Sequence, residues 1–160
     1  MDLNQAIAVT RIRKIREKFQ TCRHLLGSLT TQVENGMRIP EPAFDRMCVA
    51  AERACFFAGE ALVKPGSHRR FPRHQPSNKY LVHLTIRGGI KLHPQSRRIG
   101  SAHHGFQHAY ADLGILRMKA ERGVPVSERR LNALHKTIQR AITVCRACSG
   151  RKLFLRKPSS

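Results

Sequence analysis

Ala8, Ile12, Ile15, Phe19, Cys22, Leu26, Leu29 and Val33 recur at alternating steps of four and three residues. That spacing puts all eight side chains on one face of a helix, and it predicts a single long amphipathic helix over residues 2–35. Three further segments repeat the pattern. Phe44, Cys48, Ala51, Cys55, Ala58 and Leu62 mark a helix over 42–63, Phe106, Ala109, Leu113, Leu116 and Ala120 one over 102–122, and Leu131, Leu134, Ile138, Ala141, Cys145 and Cys148 one over 127–149. Four apolar stripes in one chain have to be buried against one another, so the expected fold is all-α.

The punctuation between the stripes sorts them into pairs. Gly36 stops the first helix, and Pro40, Glu41 and Pro42 open the second after a short turn, which makes those two an antiparallel hairpin. Small residues on the second helix, Ala50, Ala54, Gly59 and Ala61, allow a close partner. Gly123, Val124, Pro125 and Val126 join the third and fourth just as tightly, with Ser101 and Ser127 in N-cap positions. Two hairpins packed face to face give a four-helix bundle, a single domain over residues 1–149 with a tail over 150–160. Between the hairpins, residues 64–100 contain Pro65, Gly66, Pro72, Pro76 and Pro94, which exclude a continuous helix. Tyr80, Val82, Leu84 and Ile86 alternate with polar neighbours up to Gly88 and Gly89, and Ile90 and Leu92 resume the alternation, the pattern of a short β-hairpin over 80–92.

Charge is distributed unevenly over this scaffold. The chain carries 30 Lys and Arg against 10 Asp and Glu, a net +20 on 160 residues. Residues 1–60 hold nine basic and seven acidic side chains and residues 112–128 three of each, whereas residues 61–111 and 129–160 each hold nine basic side chains and no acidic one. A fold gains nothing from such self-repulsion, so the two acid-free blocks point to a polyanionic partner, nucleic acid first. The candidate contacts are Arg69, Arg70, Arg73, Lys79, Arg87, Lys91, Arg97 and Arg98 in the connector, and Arg146, Arg151, Lys152, Arg156 and Lys157 at the C-terminal end. Phe71 and His74 beside the first three arginines, and Phe154 inside the tail, add surfaces on which bases stack. RNA is favoured over DNA, because no helix-turn-helix signature is present and a loop-rich basic connector suits irregular shapes.

Other chemistries find less support. Cys145 and Cys148 have zinc-ligand spacing, and Cys22 with His24, or His104 with His108, could complete a set. All five cysteines nevertheless fall on the apolar stripes, where a thiol packs as a small hydrophobe, so no metal and no cofactor are expected. His103, His104 and His108 cluster in the acid-free block and suit hydrogen bonding or stacking at a binding surface. Arg130 and His135 have the spacing of the shortest Arg-x4-x6-His motif of HEPN-type helical ribonucleases, a spacing that Arg69 with His74 and Arg98 with His103 share. No phosphate-binding glycine loop, nucleophile elbow or HExxH motif is present, so a catalytic role is not expected. Without a signal-like start, a membrane-length apolar run or a disulfide framework, the chain is expected to be soluble and cytoplasmic with reduced thiols, and no helix has the face needed to bind lipid.

Two helix hairpins of this size with a strongly basic surface resemble the small four-helix-bundle accessory proteins that partner reverse transcriptases in diversity-generating retroelements. The likeness covers roughly residues 8–63 and 101–149, and Ala111, Asp112, Leu113 and Gly114 are its nearest local match. It implies a non-catalytic RNA and protein binder that works as an oligomer or with a protein partner inside a ribonucleoprotein. Helicity and charge are also similar to the small helical subunit of CRISPR effector complexes.

Overall fold

The structure is a computed structural model that describes residues 2–34, 41–63, 85–87, 90–92 and 96–149. Its helices are α1 (Leu3–Glu34), α2 (Glu41–Leu62), α3 (Ser96–Glu121), α4 (Glu128–Ala133) and α5 (His135–Cys148). Two three-residue strands, β1 (Thr85–Arg87) and β2 (Ile90–Leu92), pair antiparallel with Arg87 opposite Ile90. Residues 80–84, 88 and 89 of the expected β-hairpin lie outside the described residues, as do Gly36 and the turn around it.

Several helix ends are closed by local chemistry. Asp2 Oδ1 accepts the Gln5 N–H at 2.7 Å, and Ser127 Oγ accepts the Arg130 N–H at 3.3 Å. At the other end of α3, Gly123 takes φ +83°, its N–H reaches the Ala120 carbonyl at 3.0 Å, and the Val124 N–H reaches the Lys119 carbonyl at 2.9 Å. This is a Schellman closure, and it needs a residue free to enter the left-handed region. Leu134 separates α4 from α5 because its N–H turns to the Leu131 carbonyl at 3.0 Å, a tighter closure than the α-helical one. The expected helix over 127–149 is therefore interrupted once.

The stripes meet as their periodicity requires. Buried residues include Ile12, Ile15, Phe19, Cys22, Leu26, Leu29 and Val33 of α1 and all six apolar positions read on α2, while Ala8 and Leu134 are only half-buried. Phe19 and Phe106 hold α1 to α3 with ring centroids 5.2 Å apart. The expected start of α3 at residue 102 is corrected to Ser96, so Ser101 is inside the helix and caps nothing. Ile99 and Ala102 carry the buried seam back one turn, and that burial outweighs the weak helix preference of Gly100. Alanine at position 100 would meet only Glu34 Oε1, at 3.5 Å, an ordinary contact. Gly100→Ala is expected to raise stability by about 0.5–1 kcal/mol in urea unfolding, through the lost freedom of the unfolded chain.

Cross-helix contacts fix the relative directions. Arg11, near the start of α1, donates to the Leu62 carbonyl at the end of α2 at 3.2 Å, so these two run antiparallel. Gln5 donates to the Glu121 carbonyl at 2.9 Å and Arg16 to the Tyr110 carbonyl at 3.3 Å, so α3 is antiparallel to α1. Ser149 donates to Asp45 Oδ1 at 2.6 Å and Arg146 pairs with Glu52, so α5 is antiparallel to α2. Gly105 faces Thr137, and α3 packs on α5 as well. It follows that α2 and α3 point the same way. The chain leaves α2 where α1 begins and enters α3 where α1 ends, with Gly100 near Glu34. Since α2, with 22 residues, is about 33 Å long, no short turn could connect these points, whereas the 33 residues from 63 to 95 reach easily.

Candidate nucleic-acid interface

Packing α3 against α5 brings the two acid-free blocks of sequence together. A groove of about 360 Å³ between the helices is lined by Arg98, Ser101, Arg140, Thr143 and Val144. Arg98 belongs to the first block and Arg140 to the second, and both guanidinium-bearing residues are exposed. Arg98 is the third residue of α3, where unpaired backbone N–H groups add positive potential, and no acidic residue lies in the first turn of α3 or of α5. Thr143 spends its hydroxyl proton on the Gln139 carbonyl at 2.9 Å. The donors left for an anion in the groove are therefore the two guanidinium groups and the exposed Ser101 hydroxyl, an arrangement able to grip phosphate bidentately.

The same pair of helices carries more positive and aromatic groups beyond the groove. Arg97, His104 and His108 of α3 are exposed, as are Arg129 and Arg130 of α4 and Lys136 of α5. The opposite flank of α3 is organised differently. There the Arg16 and Arg23 guanidinium groups lie 4.0 and 4.3 Å from the Tyr110 ring centroid, and both residues are half-buried. These arginines fix α1 to α3 by cation–π contact. His103 turns inward against Gly27, and burial followed by the neighbouring Arg23 charge holds its imidazole below the ordinary value, with Glu34 opposing the shift. Its charged form is thereby disfavoured.

Arg97 and Arg98 therefore stand where a phosphate could reach them. Arg146 is placed differently: it forms an ion pair with Glu52, in which the two side chains keep only 21% and 9% of their exposure. Arg146 is thus committed to an ion pair at the contact of α2 with α5. The cause is the register of α2 on α5, which sequence periodicity leaves open. Arg87 lies in β1 and Lys91 in β2, but their side chains, together with Arg69, Arg70, Arg73, Lys79, Arg151, Lys152, Arg156 and Lys157, lie outside the described residues. Arg140 is the residue that sequence reasoning missed. It sits in the second acid-free block and off the buried stripe, and that combination was the available signal.

The cysteines take no part in this surface. All five are buried and reduced. A thiol contact with Cys148, then burial, pushes Cys48 up, a contact with Cys22, then burial, does the same to Cys55, and burial raises Cys145. Such thiols stay protonated and unreactive. Among the described residues no group of three or more His, Cys, Asp or Glu side chains is arranged to hold a metal ion, and no helix is long and apolar enough to cross a membrane. Arg130 in α4 is exposed, His135 opening α5 is half-buried, and the helix interruption at Leu134 falls between them. No protein-family model, curated protein or solved structure matches the chain.

Proposed function

We propose that this protein is a non-catalytic nucleic-acid-binding accessory subunit, with RNA the favoured ligand, working inside a ribonucleoprotein assembly. With α4 and α5 counted as one interrupted helix, its helices serve as a four-helix bundle, and its ligand is gripped through the phosphate backbone largely without regard to sequence. The observation that supports this reading best is the meeting of Arg98 and Arg140 across one groove, which joins the two acid-free blocks into a single surface. Internal neutralisation cannot account for the charge: pairing each of the 10 acidic side chains with one of the 30 cations still leaves a net +20. Base selection falls to a partner, and the resemblance to retroelement accessory proteins makes a reverse transcriptase the first partner to test.

The purified full chain should retain labelled single-stranded RNA on a filter and leave it uncut. Cleavage that disappears in His135→Ala would instead establish a ribonuclease using Arg130 and His135. Neutralising Arg69, Arg70 and Arg73 should weaken retention several-fold more than neutralising Arg13, Lys14 and Lys18, which are exposed on α1. Equal losses would show that the connector contributes nothing beyond its charge. Arg11 is unsuitable as a control, since it pairs with Glu128 and donates to the Leu62 carbonyl, tying three helix ends together.

A further inference from the structure

His104 and His108 are four residues apart in the middle of α3, and both are exposed. Helix geometry places such a pair one above the other. Their Nε2 atoms lie 2.9 Å apart, with ring centroids separated by 4.4 Å and ring planes at 84°. With both imidazoles neutral, one Nε2–H donates to the other Nε2. The two Nε2 atoms are thus held side by side by one helix, each the hydrogen-bond partner of the other.

The separation discriminates between metals. With metal–nitrogen bonds of about 2.0–2.1 Å, two donors subtending 90° lie about 2.9 Å apart, whereas a tetrahedral angle separates them by about 3.3–3.4 Å. The observed 2.9 Å, set by the hydrogen bond between the two rings, matches the edge of a square-planar or octahedral site. Imidazole donors exclude hard, oxygen-seeking cations such as Mg²⁺, and the 90° edge favours Cu²⁺ and Ni²⁺ over Zn²⁺. We propose that His104 and His108 form a two-histidine site for a transition-metal ion of the Ni²⁺ and Cu²⁺ class, with water in the remaining positions. Both Nε2 atoms must then present lone pairs. The donor ring moves its proton to Nδ1 through solvent, the other ring already carries its proton there, and no proton is released overall. This site uses none of the cysteines.

The test is a titration of the full chain with Ni²⁺, followed by heat of binding and by Tm, with Mg²⁺ as the hard-cation control. Ni²⁺ is chosen because it is not reduced by thiols. The pair is held together only in the folded helix, so binding should raise Tm progressively with Ni²⁺ concentration. His104→Gln and His108→Gln should each lose most of that shift while keeping the helical circular dichroism signal, since both side chains are exposed and glutamine is a good helix former. His103→Gln, whose imidazole faces Gly27, should keep it. An undiminished Ni²⁺ shift in the His104→Gln, His108→Gln double variant, or an equal shift with Mg²⁺, would overturn the proposal.

Discussion

Replacing Arg98 and Arg140 together by glutamine should lower affinity for single-stranded RNA about 10- to 100-fold at about 50 mM salt, with the fold unchanged. Both side chains are exposed and flank one groove, so their removal deletes phosphate contacts without opening the core. The wild-type chain should itself lose orders of magnitude in affinity between about 50 and 200 mM salt, because neutralised phosphates release bound counterions. Every single-strand phosphate that is no longer neutralised should reduce the slope of log affinity against log salt by about 0.7, so the double variant should show a slope shallower by about 1.4. The same exchange at Arg13 and Lys14 should have a smaller effect, since those side chains share α1 with Glu17 and Glu34. A double variant with wild-type affinity and an unchanged salt slope would remove the groove from the interface.

Arg146→Ala should cost about 3–4 kcal/mol in urea unfolding, chiefly because it leaves the Glu52 carboxylate buried without its countercharge. Glu52→Ala should cost somewhat less, as Arg146 keeps 21% exposure and water can reach it. Removing both should cost less than the sum of the two, and an apolar pair, Glu52→Leu with Arg146→Met, should recover much of the loss. RNA affinity measured on the folded fraction should change little in all of these variants. A marked loss of RNA binding in Arg146→Ala with stability intact would restore that arginine to the phosphate surface and sink the ion-pair reading.

These two experiments separate arginines that look alike in the sequence. Arg140 and Arg146 are six residues apart in the same acid-free block, yet one lines an open groove and the other closes a helix interface. Periodicity places Arg140 off the buried stripe, so its exposure was legible. The partner of Arg146 was not, because a stripe defines the inward face of α5 without defining which residue of α2 lies beside its edge. The same reasoning applies to histidine: His103, His104 and His108 form one cluster in sequence, but the approach of α1 at Gly27 turns His103 inward and leaves the other two outside. The first turn of α3 was missed for a local reason, since Gly100 and Ser101 read as punctuation while Ile99 was already part of the seam.

What the sequence by itself determined is the content of the helices and of the core. The spacing of Ile12 through Val33, Phe44 through Leu62, Phe106 through Ala120 and Leu131 through Cys148 commits those faces to burial, because a helix repeats every 3.6 residues whatever it packs against. Tertiary structure alone decided the direction and register with which the hairpins meet. That choice makes α2 and α3 parallel, so the end of α2 and the start of α3 lie at opposite ends of α1. It also puts Arg98 beside Arg140 and Glu52 beside Arg146. Contacts between residues far apart in the chain depend on the fit of side-chain ridges into grooves, which no single segment encodes.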